Sequence, residues 1–99
     1  MDIEDEIVAR GLLAPRITPQ DIEDAVVCSQ HYQFPGTTVT VVCLTLKNGF
    51  NVVGESACAS LENFDPELGI RIANEDAKRA IWKLEGYLLK QRLFEGDSE

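Results

Sequence analysis

The sequence predicts an α+β domain in which a three-stranded antiparallel sheet packs against a long C-terminal helix. Segments rich in β-branched and aromatic residues alternate with turn residues in the middle of the chain. Between two of these segments lies Asn48-Gly49, the strongest short-range hairpin signal. After Asp65-Pro66, apolar residues recur at helical spacing. The strands are expected at about 25–34, 37–46 and 50–57, and the helix at about 66–93.

The first 24 residues are expected to form one or two short helices. Residues 2–13 carry acids in their first turn, where the helix dipole favours them, and Gly11 and Pro15 end the pattern. Thr18-Pro19 starts a second helix, with a capping hydroxyl and a proline at the first helical position. A chain of 99 residues has the usual size of one domain, so 1–99 is interpreted as a single domain, with 95–99 as a frayed acidic tail.

The two turns predict which side chains share a sheet face. With Asn48-Gly49 and Pro35-Gly36 as two-residue loops, Lys47 faces Phe50 and Cys28 faces Cys43. One face, interpreted as the core, then carries Val26, Cys28, Tyr32, Phe34, Val39, Val41, Cys43, Phe50 and Val52. The other carries Val27, His31, Thr38, Thr40, Val42, Leu44, Leu46 and Val53.

That second face is too apolar to be left to water. It is expected to be covered either by the N-terminal helices or by another subunit, and a dimer is the simplest homo-oligomer. The helix, at about 40 Å, is longer than a sheet of this size can cover, which is one reason to expect a binding protein. The predicted interface residues are Val42, Leu44, Leu46 and Val53.

The charge of the chain limits its partners. Seventeen acids and nine bases give a net charge of −8, which repels phosphate backbones and anionic membranes. Direct nucleic-acid or membrane binding is therefore disfavoured, whereas a basic protein partner is compatible with it. No secretory signal pattern, long apolar run or disulfide framework is evident, since the three cysteines are an odd number. These features predict a protein of a reducing cytoplasm.

Few residues suggest chemistry, and the prediction is that the chain has no catalytic residue, metal or cofactor. Cys28, His31, Cys43 and Cys58 could together make a zinc site, but no Cys-x-x-Cys pair exists and buried free cysteines commonly serve packing. An enzyme would have to use residues drawn from Glu55, Ser56, Cys58 and His31. A general base needs an orienting acid and a positioned nucleophile, and nothing in the spacing brings these together.

Two segments are predicted to contribute to binding. Glu55 and Ser56 follow a glycine in the third strand, and Trp82, Glu85 and Tyr87 crowd one stretch of the helix. Aromatic residues are enriched at interfaces, and Trp82 lies off the apolar stripe of the helix. The alternatives are that Glu55 points past the sheet edge to solvent and that Trp82 closes the rim of the core.

The segments Leu-Lys-Asn-Gly-Phe-Asn-Val-Val-Gly-Glu-Ser-Ala-Cys, Asn-Phe-Asp-Pro-Glu-Leu-Gly and Ile-Trp-Lys-Leu-Glu-Gly-Tyr-Leu-Leu lie between residues 46 and 89. They resemble a family of small tailed-phage proteins named after an early gene product of a coliphage and a counterpart in a Shigella phage. The resemblance is looser from about residue 25, and residues 1–24 fall outside it. It implies a phage or prophage accessory protein that acts inside a bacterium, and it supplies no catalytic residues.

The leading hypothesis is a non-catalytic protein that binds a host or defence protein in the bacterial cytoplasm. The alternative is an oligomer that sequesters a small nucleotide or signal molecule. Its pocket would need local bases, for which the candidates are Lys47, Arg71, Lys78 and Arg79. An enzyme is the third and least favoured class.

Overall fold

The computed structural model describes residues 3–11 and 14–96 of the chain. Three helices, one sheet and one 3-10 turn follow each other in the predicted α+β order. The elements are α1 (Ile3–Ala9), α2 (Pro19–Ala25), β1 (Val26–Gln33), β2 (Val39–Leu46), β3 (Asn51–Ala57), a 3-10 turn (Leu61–Asn63) and α3 (Pro66–Phe94). Leu12 and Leu13, in the predicted first helix, and 97–99, in the predicted tail, lie outside the described residues.

The N-terminal segment is helical as predicted, and its second helix begins at a capping box. The Thr18 hydroxyl accepts from the Asp21 N–H, and the Asp21 carboxylate accepts from the Thr18 N–H. Ile22 and Ala25 of α2 are buried in the core, whereas no described residue of α1 is buried. Helix α2 therefore covers one end of the sheet, and the ion pair of Glu4 with Arg16 joins α1 to the segment that precedes α2.

The sheet has the order β1-β2-β3, and both pairs are antiparallel. Between β1 and β2 the register differs from the predicted one by two residues, so that Cys28 lies opposite Thr45 and not Cys43. The reason is the turn: the Thr37 N–H donates to the Phe34 carbonyl around Pro35-Gly36, and Phe34 pairs with Val39 across a longer loop. A shift of two keeps the faces of β1 and β2 matched.

The hairpin between β2 and β3 differs from the prediction by one residue. The Gly49 N–H donates to the Leu46 carbonyl, the Leu46 N–H donates to the Phe50 carbonyl, and Gly49 has a φ of +90°. The loop therefore holds three residues, Lys47 to Gly49, in a turn closed by a left-handed glycine. Val52 consequently lies opposite Leu44 and not Thr45, which moves β3 to the other face relative to the prediction.

These registers correct the predicted core face. Helix α3, together with α2, packs on the second face, which was expected to be covered by the N-terminal helices or by another subunit. Val42, Leu44 and Leu46 are buried inside this chain at 7% exposure or less. They are therefore not available as a subunit interface. Val53, the fourth predicted interface residue, lies on the opposite face and is exposed. The core comprises Ile22, Ala25, Val42, Leu44, Leu46, Val52, Ala73, Ala77 and Ile81.

Helix α3 approaches the sheet along a row of small residues. Its buried positions are Gly69, Ala73, Ala77 and Ile81, which recur every four residues and so lie on one line of the helix. Ala73 and Ala77 approach β3 at Gly54, where an added Cβ would meet the backbone of both alanines. Beyond Ile81 no described residue of α3 is buried, so the helix extends past the sheet as its length predicts.

The opposite side of the sheet, here called the outer face, is not covered by any described element. It carries Cys28, Gln30 and Tyr32 from β1, Val39, Val41, Cys43 and Thr45 from β2, and Asn51, Val53, Glu55 and Ala57 from β3. Tyr32 packs edge-on against Phe34 at a ring separation of 5.0 Å. The predicted core residues of β1 and β2 thus lie on the open side of the sheet, except Val26, which packs against the core.

Candidate functional site: a groove beside the long helix

An open groove of about 730 Å³ lies where α2, the β2–β3 turn and the projecting half of α3 meet. Its floor includes core residues of α2 and β2, and its walls come from three separate segments. We call it the terminal groove. It is lined by Arg16, Ile17, Asp21, Asp24, Ala25, Leu46, Lys47, Asn48, Phe50, Leu84, Glu85, Tyr87, Leu88, Leu89 and Arg92.

The helical wall of the terminal groove follows from the periodicity of α3. Leu84, Leu88 and Arg92 are spaced by four residues and therefore form one line, which continues beyond the buried Ile81. Leu84 and Leu88 are exposed although they are large and apolar. Past the end of the sheet, the stripe that packs the core becomes an accessible apolar surface.

The opposite wall is the β2–β3 turn. The three-residue loop turns Lys47 and Asn48 outward, and the Asn48 side chain accepts from the Phe50 N–H at 3.0 Å. Phe50 is exposed by 55%. The groove therefore presents an aromatic ring on the turn and a second one, Tyr87, on the helix.

Charge distinguishes the terminal groove from the rest of the molecule. The chain carries nearly two acids for each base, whereas the groove lining holds three bases (Arg16, Lys47 and Arg92) and three acids. Two of the acids have local partners: Asp21 belongs to the α2 capping box, and Asp24 accepts from the Gln20 amide at 2.8 Å. The groove lining is therefore balanced in formal charge on an acidic chain. Arg16 is paired with Glu4, so Lys47 and Arg92 are the bases of the lining that suit a ligand with apolar and anionic groups.

The structure divides the predicted binding residues between two places. Glu85 and Tyr87 line the terminal groove, and Trp82 is partly exposed on α3 outside the lining. Glu55 and Ser56 lie near the far end of β3, about 20 Å of strand away from the turn. The Glu55 N–H donates to the Asp76 carboxylate at 2.9 Å, and the Ser56 hydroxyl donates to the Gly69 carbonyl at 2.8 Å. These two bonds fasten β3 to α3, and a ligand-binding role for any of the five residues stays a prediction.

The residues considered for zinc or catalysis are also dispersed. Cys28 and Cys43 lie opposite Thr45 and Gln30, and the Cys58 thiol donates to the Ser60 carbonyl. His31 is exposed on β1. The residues that the structure describes contain no group of three or more His, Cys, Asp or Glu side chains arranged to hold a metal.

Sequence reasoning missed Arg16, Phe50 and Arg92. Of the bases proposed for an anion pocket, Lys47 lines the groove, but Lys78 pairs with Glu23 and Glu75, and Arg79 pairs with Asp76. The sequence pattern that could have predicted Arg92 is the four-residue spacing of residues 84, 88 and 92, because this part of the helix lies beyond the length that the sheet can cover. The position of α2 beside the turn could not be inferred from spacing.

Comparison with known protein families identifies the family of this chain. A family model described as the phage protein (N4 Gp49/phage Sf6 gene 66) family matches residues 17–93. The chain belongs to this phage protein family. The match extends the resemblance predicted from residues 46–89 at both ends and includes α2, which was placed outside it. No curated protein and no solved structure matched the chain.

Membership makes this chain a phage accessory protein, and the family match covers most of the terminal groove, from Ile17 to Arg92. Among the described helices, none has both the length and the apolar content needed to cross a bilayer.

Proposed function

We propose that this phage protein is a non-catalytic binding protein that engages a protein of the host, or of its defences, in the bacterial cytoplasm. The observation that carries the proposal is the terminal groove, in which exposed apolar and aromatic side chains lie among equal numbers of bases and acids on an acidic molecule. A groove of this composition suits a peptide segment with apolar anchors and a few acidic residues.

Aromatic anchors in the centre of an interface commonly carry most of the binding energy. Tyr87 is the most exposed aromatic residue of the groove, with 73% of its surface accessible. Its position on a long helix, and not on a loop, fixes its direction before a partner arrives. We therefore assign Tyr87 as the main anchor and Arg92, which lines the same groove five residues further along α3, as a charged contact.

The test is affinity capture from infected cells, in which bound proteins are identified and then purified for direct measurement of Kd. Tyr87→Ala is expected to weaken binding at least about tenfold, in line with the loss of one anchor. Trp82→Ala is the matched control, because Trp82 is a partly exposed aromatic residue of the same helix outside the groove. Stable expression without a captured partner, or equal loss in both variants, would count against the proposal.

A second candidate is sequestration of a small nucleotide or signal molecule, and one observation favours it. Lys47 and Arg92 line the same groove as the rings of Phe50 and Tyr87. Cationic groups recognise phosphate, and aromatic faces accept stacked bases. The reduced acidity of the groove removes part of the objection raised by the net charge of −8.

The two candidates separate in purified protein. A ligand present at a hundredfold excess over its Kd stabilises the fold by about 2.7 kcal/mol, which a thermal-shift panel of cyclic and linear nucleotides would detect. Arg92→Gln should abolish such a shift and Arg71→Gln, at an exposed base of α3 outside the groove, should not. Unchanged melting temperatures across the panel would remove the small-molecule candidate and leave the protein-binding one untouched.

A further inference from the structure

The two edges of the sheet are protected to different degrees. An edge strand presents unpaired N–H and C=O groups, which natural proteins blunt with charges, prolines, bulges or a covering element. At the β3 edge the Glu55 N–H donates to the Asp76 carboxylate, so α3 reaches over this edge and occupies an outward donor. The β3 edge is thus partly closed by the chain itself.

From Cys28 to Gln33 the β1 edge has no such protection in the described part of the chain, since the bulge of this strand is confined to its start, at Val27. The Phe34 N–H donates to the Val39 carbonyl, so Phe34 faces β2 with its backbone groups. Because successive residues of an antiparallel strand direct these groups to alternate sides, those of Ser29, His31 and Gln33 point away from β2. All three residues are exposed. Helix α3 packs on β2 and β3, so the space beside β1 is open on the helix side as well as on the outer face.

The charge pattern indicates what can lie against this edge. From Ala25 to Leu46 the sequence contains no Asp, Glu, Lys or Arg, although a quarter of the whole chain is charged. All of β1 and β2 are therefore free of charge, and the net charge of −8 is held by other segments. This is the surface on which two acidic copies can meet without opposing like charges, whereas a basic partner would be drawn to the acidic segments.

We propose that two copies of this chain pair through β1 in antiparallel fashion, forming a continuous six-stranded sheet with the order β3-β2-β1-β1-β2-β3. The two-fold axis passes beside His31, since the regular part of the strand begins after the bulge at Val27 and ends at the Pro35-Gly36 turn. Ser29 of each copy then lies opposite Gln33 of the other. The three outward residues of each strand supply about six new backbone hydrogen bonds.

The side chains agree with this register on both faces. On the helix side, Ser29 meets Gln33 and His31 meets its own copy. His31 and Gln33 also border a cavity of about 290 Å³ that includes Thr40 and Ile70. On the outer face, Tyr32 lies opposite Gln30 and Phe34 opposite Cys28 of the second copy. The outer faces of both copies become one surface, while both terminal grooves stay free.

A pair of double variants tests the interface and its register together. Ser29→Lys with Gln33→Lys places lysines opposite each other at two points, whereas Ser29→Lys with Gln33→Glu places each lysine opposite a glutamate. Both double variants alter the same two exposed positions, so both should fold. Sedimentation velocity is expected to give twice the 11.0 kDa chain mass for the wild type and the lysine–glutamate variant, and the single mass for the lysine–lysine variant.

A wild-type protein that sediments at 11.0 kDa at every concentration would overturn the proposal. So would equal masses for the two double variants, since the register requires opposite results. Amide exchange measured by NMR gives a second criterion. The amides of 29, 31 and 33 should exchange at least about tenfold more slowly in the wild type than in the lysine–lysine variant, and equal rates would exclude β1 as the interface.

Discussion

Gly54 of β3 lies directly beneath Ala77 of α3, so close that a methyl group on the glycine would meet the helix backbone. Strand and helix are therefore joined through backbone contact and not through interdigitating side chains. The small residues Gly69, Ala73 and Ala77 extend this contact along α3. The stability of the fold should depend on this contact and on the surroundings of Thr40, Asp76 and Lys78.

Gly54→Ala should destabilise the fold by about 3 kcal/mol or more, because the Ala73 carbonyl and the Ala77 N–H cannot move without displacing the helix. Chemical denaturation measures the loss. Gly86→Ala is the control: nothing lies within 4 Å of the added Cβ, and the residue is inside α3, so this variant should gain up to about 1 kcal/mol. A mild effect at Gly54 would show that the helix does not approach the strand so closely.

Thr40→Val should stabilise the protein by about 1 kcal/mol. Thr40 is 1% exposed and its Oγ1 has no hydrogen-bond partner among the described residues, so valine of the same shape removes the cost of a buried unsatisfied hydroxyl. Thr45→Val on the same strand is the matched control, since the Thr45 hydroxyl donates to Asn51 on the outer face. The free energy of unfolding of Thr45→Val should be slightly lower than that of the wild type. A decrease of similar size for Thr40→Val would contradict the cost assigned to the buried Thr40 hydroxyl.

Asp76→Ala should expose the β3 edge. The carboxylate accepts from the Glu55 N–H and from Arg79, and its loss should cost about 1 kcal/mol and accelerate amide exchange at Glu55. Asp76→Asn retains an acceptor oxygen for the Glu55 N–H and should keep most of the protection. Exchange at Glu55 that is equal in the wild type and the alanine variant would show that the carboxylate does not close the edge.

The pairing of Lys78 with Glu23 should make the stability of the fold depend on pH in the alkaline range. The hydrogen bond to Glu23 at 2.5 Å raises the pKa of this ammonium above its ordinary value of 10.5; burial opposes the shift, and the charges of Glu23 and Glu75 add to it. A raised pKa in the folded state means that the contribution is complete below pH 10.5 and is lost as the pH rises through the folded-state pKa.

Thermal unfolding of the wild type and of Lys78→Met should therefore differ by a constant amount at neutral pH and converge above pH 10.5. The Glu23 partner is more than half exposed, so the constant difference is that of a screened ion pair, about 1 kcal/mol or less. Parallel curves across the alkaline range would mean that the lysine is not paired in solution.

The element order could be predicted from the sequence because each element has a local signal. The Thr18 capping box, the Asp65-Pro66 start of α3 and the Asn48-Gly49 turn are short patterns, and all three appear in the structure. The family resemblance found from residues 46–89 was likewise confirmed by a match over 17–93.

Register was not predictable in the same way. Whether Asn48-Gly49 closes a two-residue or a three-residue loop depends on a single backbone bond, from the Leu46 N–H to the Phe50 carbonyl. That choice decided which face of β3 became the core. The small residues of α3 offered the missing signal, because Ala73 and Ala77 can only bury against a strand that supplies space, and Gly54 supplies it.

The candidate site was predictable only in part, since its walls come from distant segments. Glu85 and Tyr87 stand out locally, but their proximity to Arg16 and Lys47 depends on how α2 docks at the end of the sheet. Glu55 and Ser56 stood out for a different reason: their polar groups fasten a strand to a helix. From sequence alone, a polar group that joins two elements of the fold cannot be distinguished from one that binds a ligand.

The three-residue turn at Lys47–Gly49 also limits how this family can vary. Because sides alternate along a strand, deleting or adding one residue there would present Val52 to water and turn Val53 toward α3. Relatives should therefore lengthen or shorten this turn by two residues at a time, since a change of one exchanges the two faces of β3.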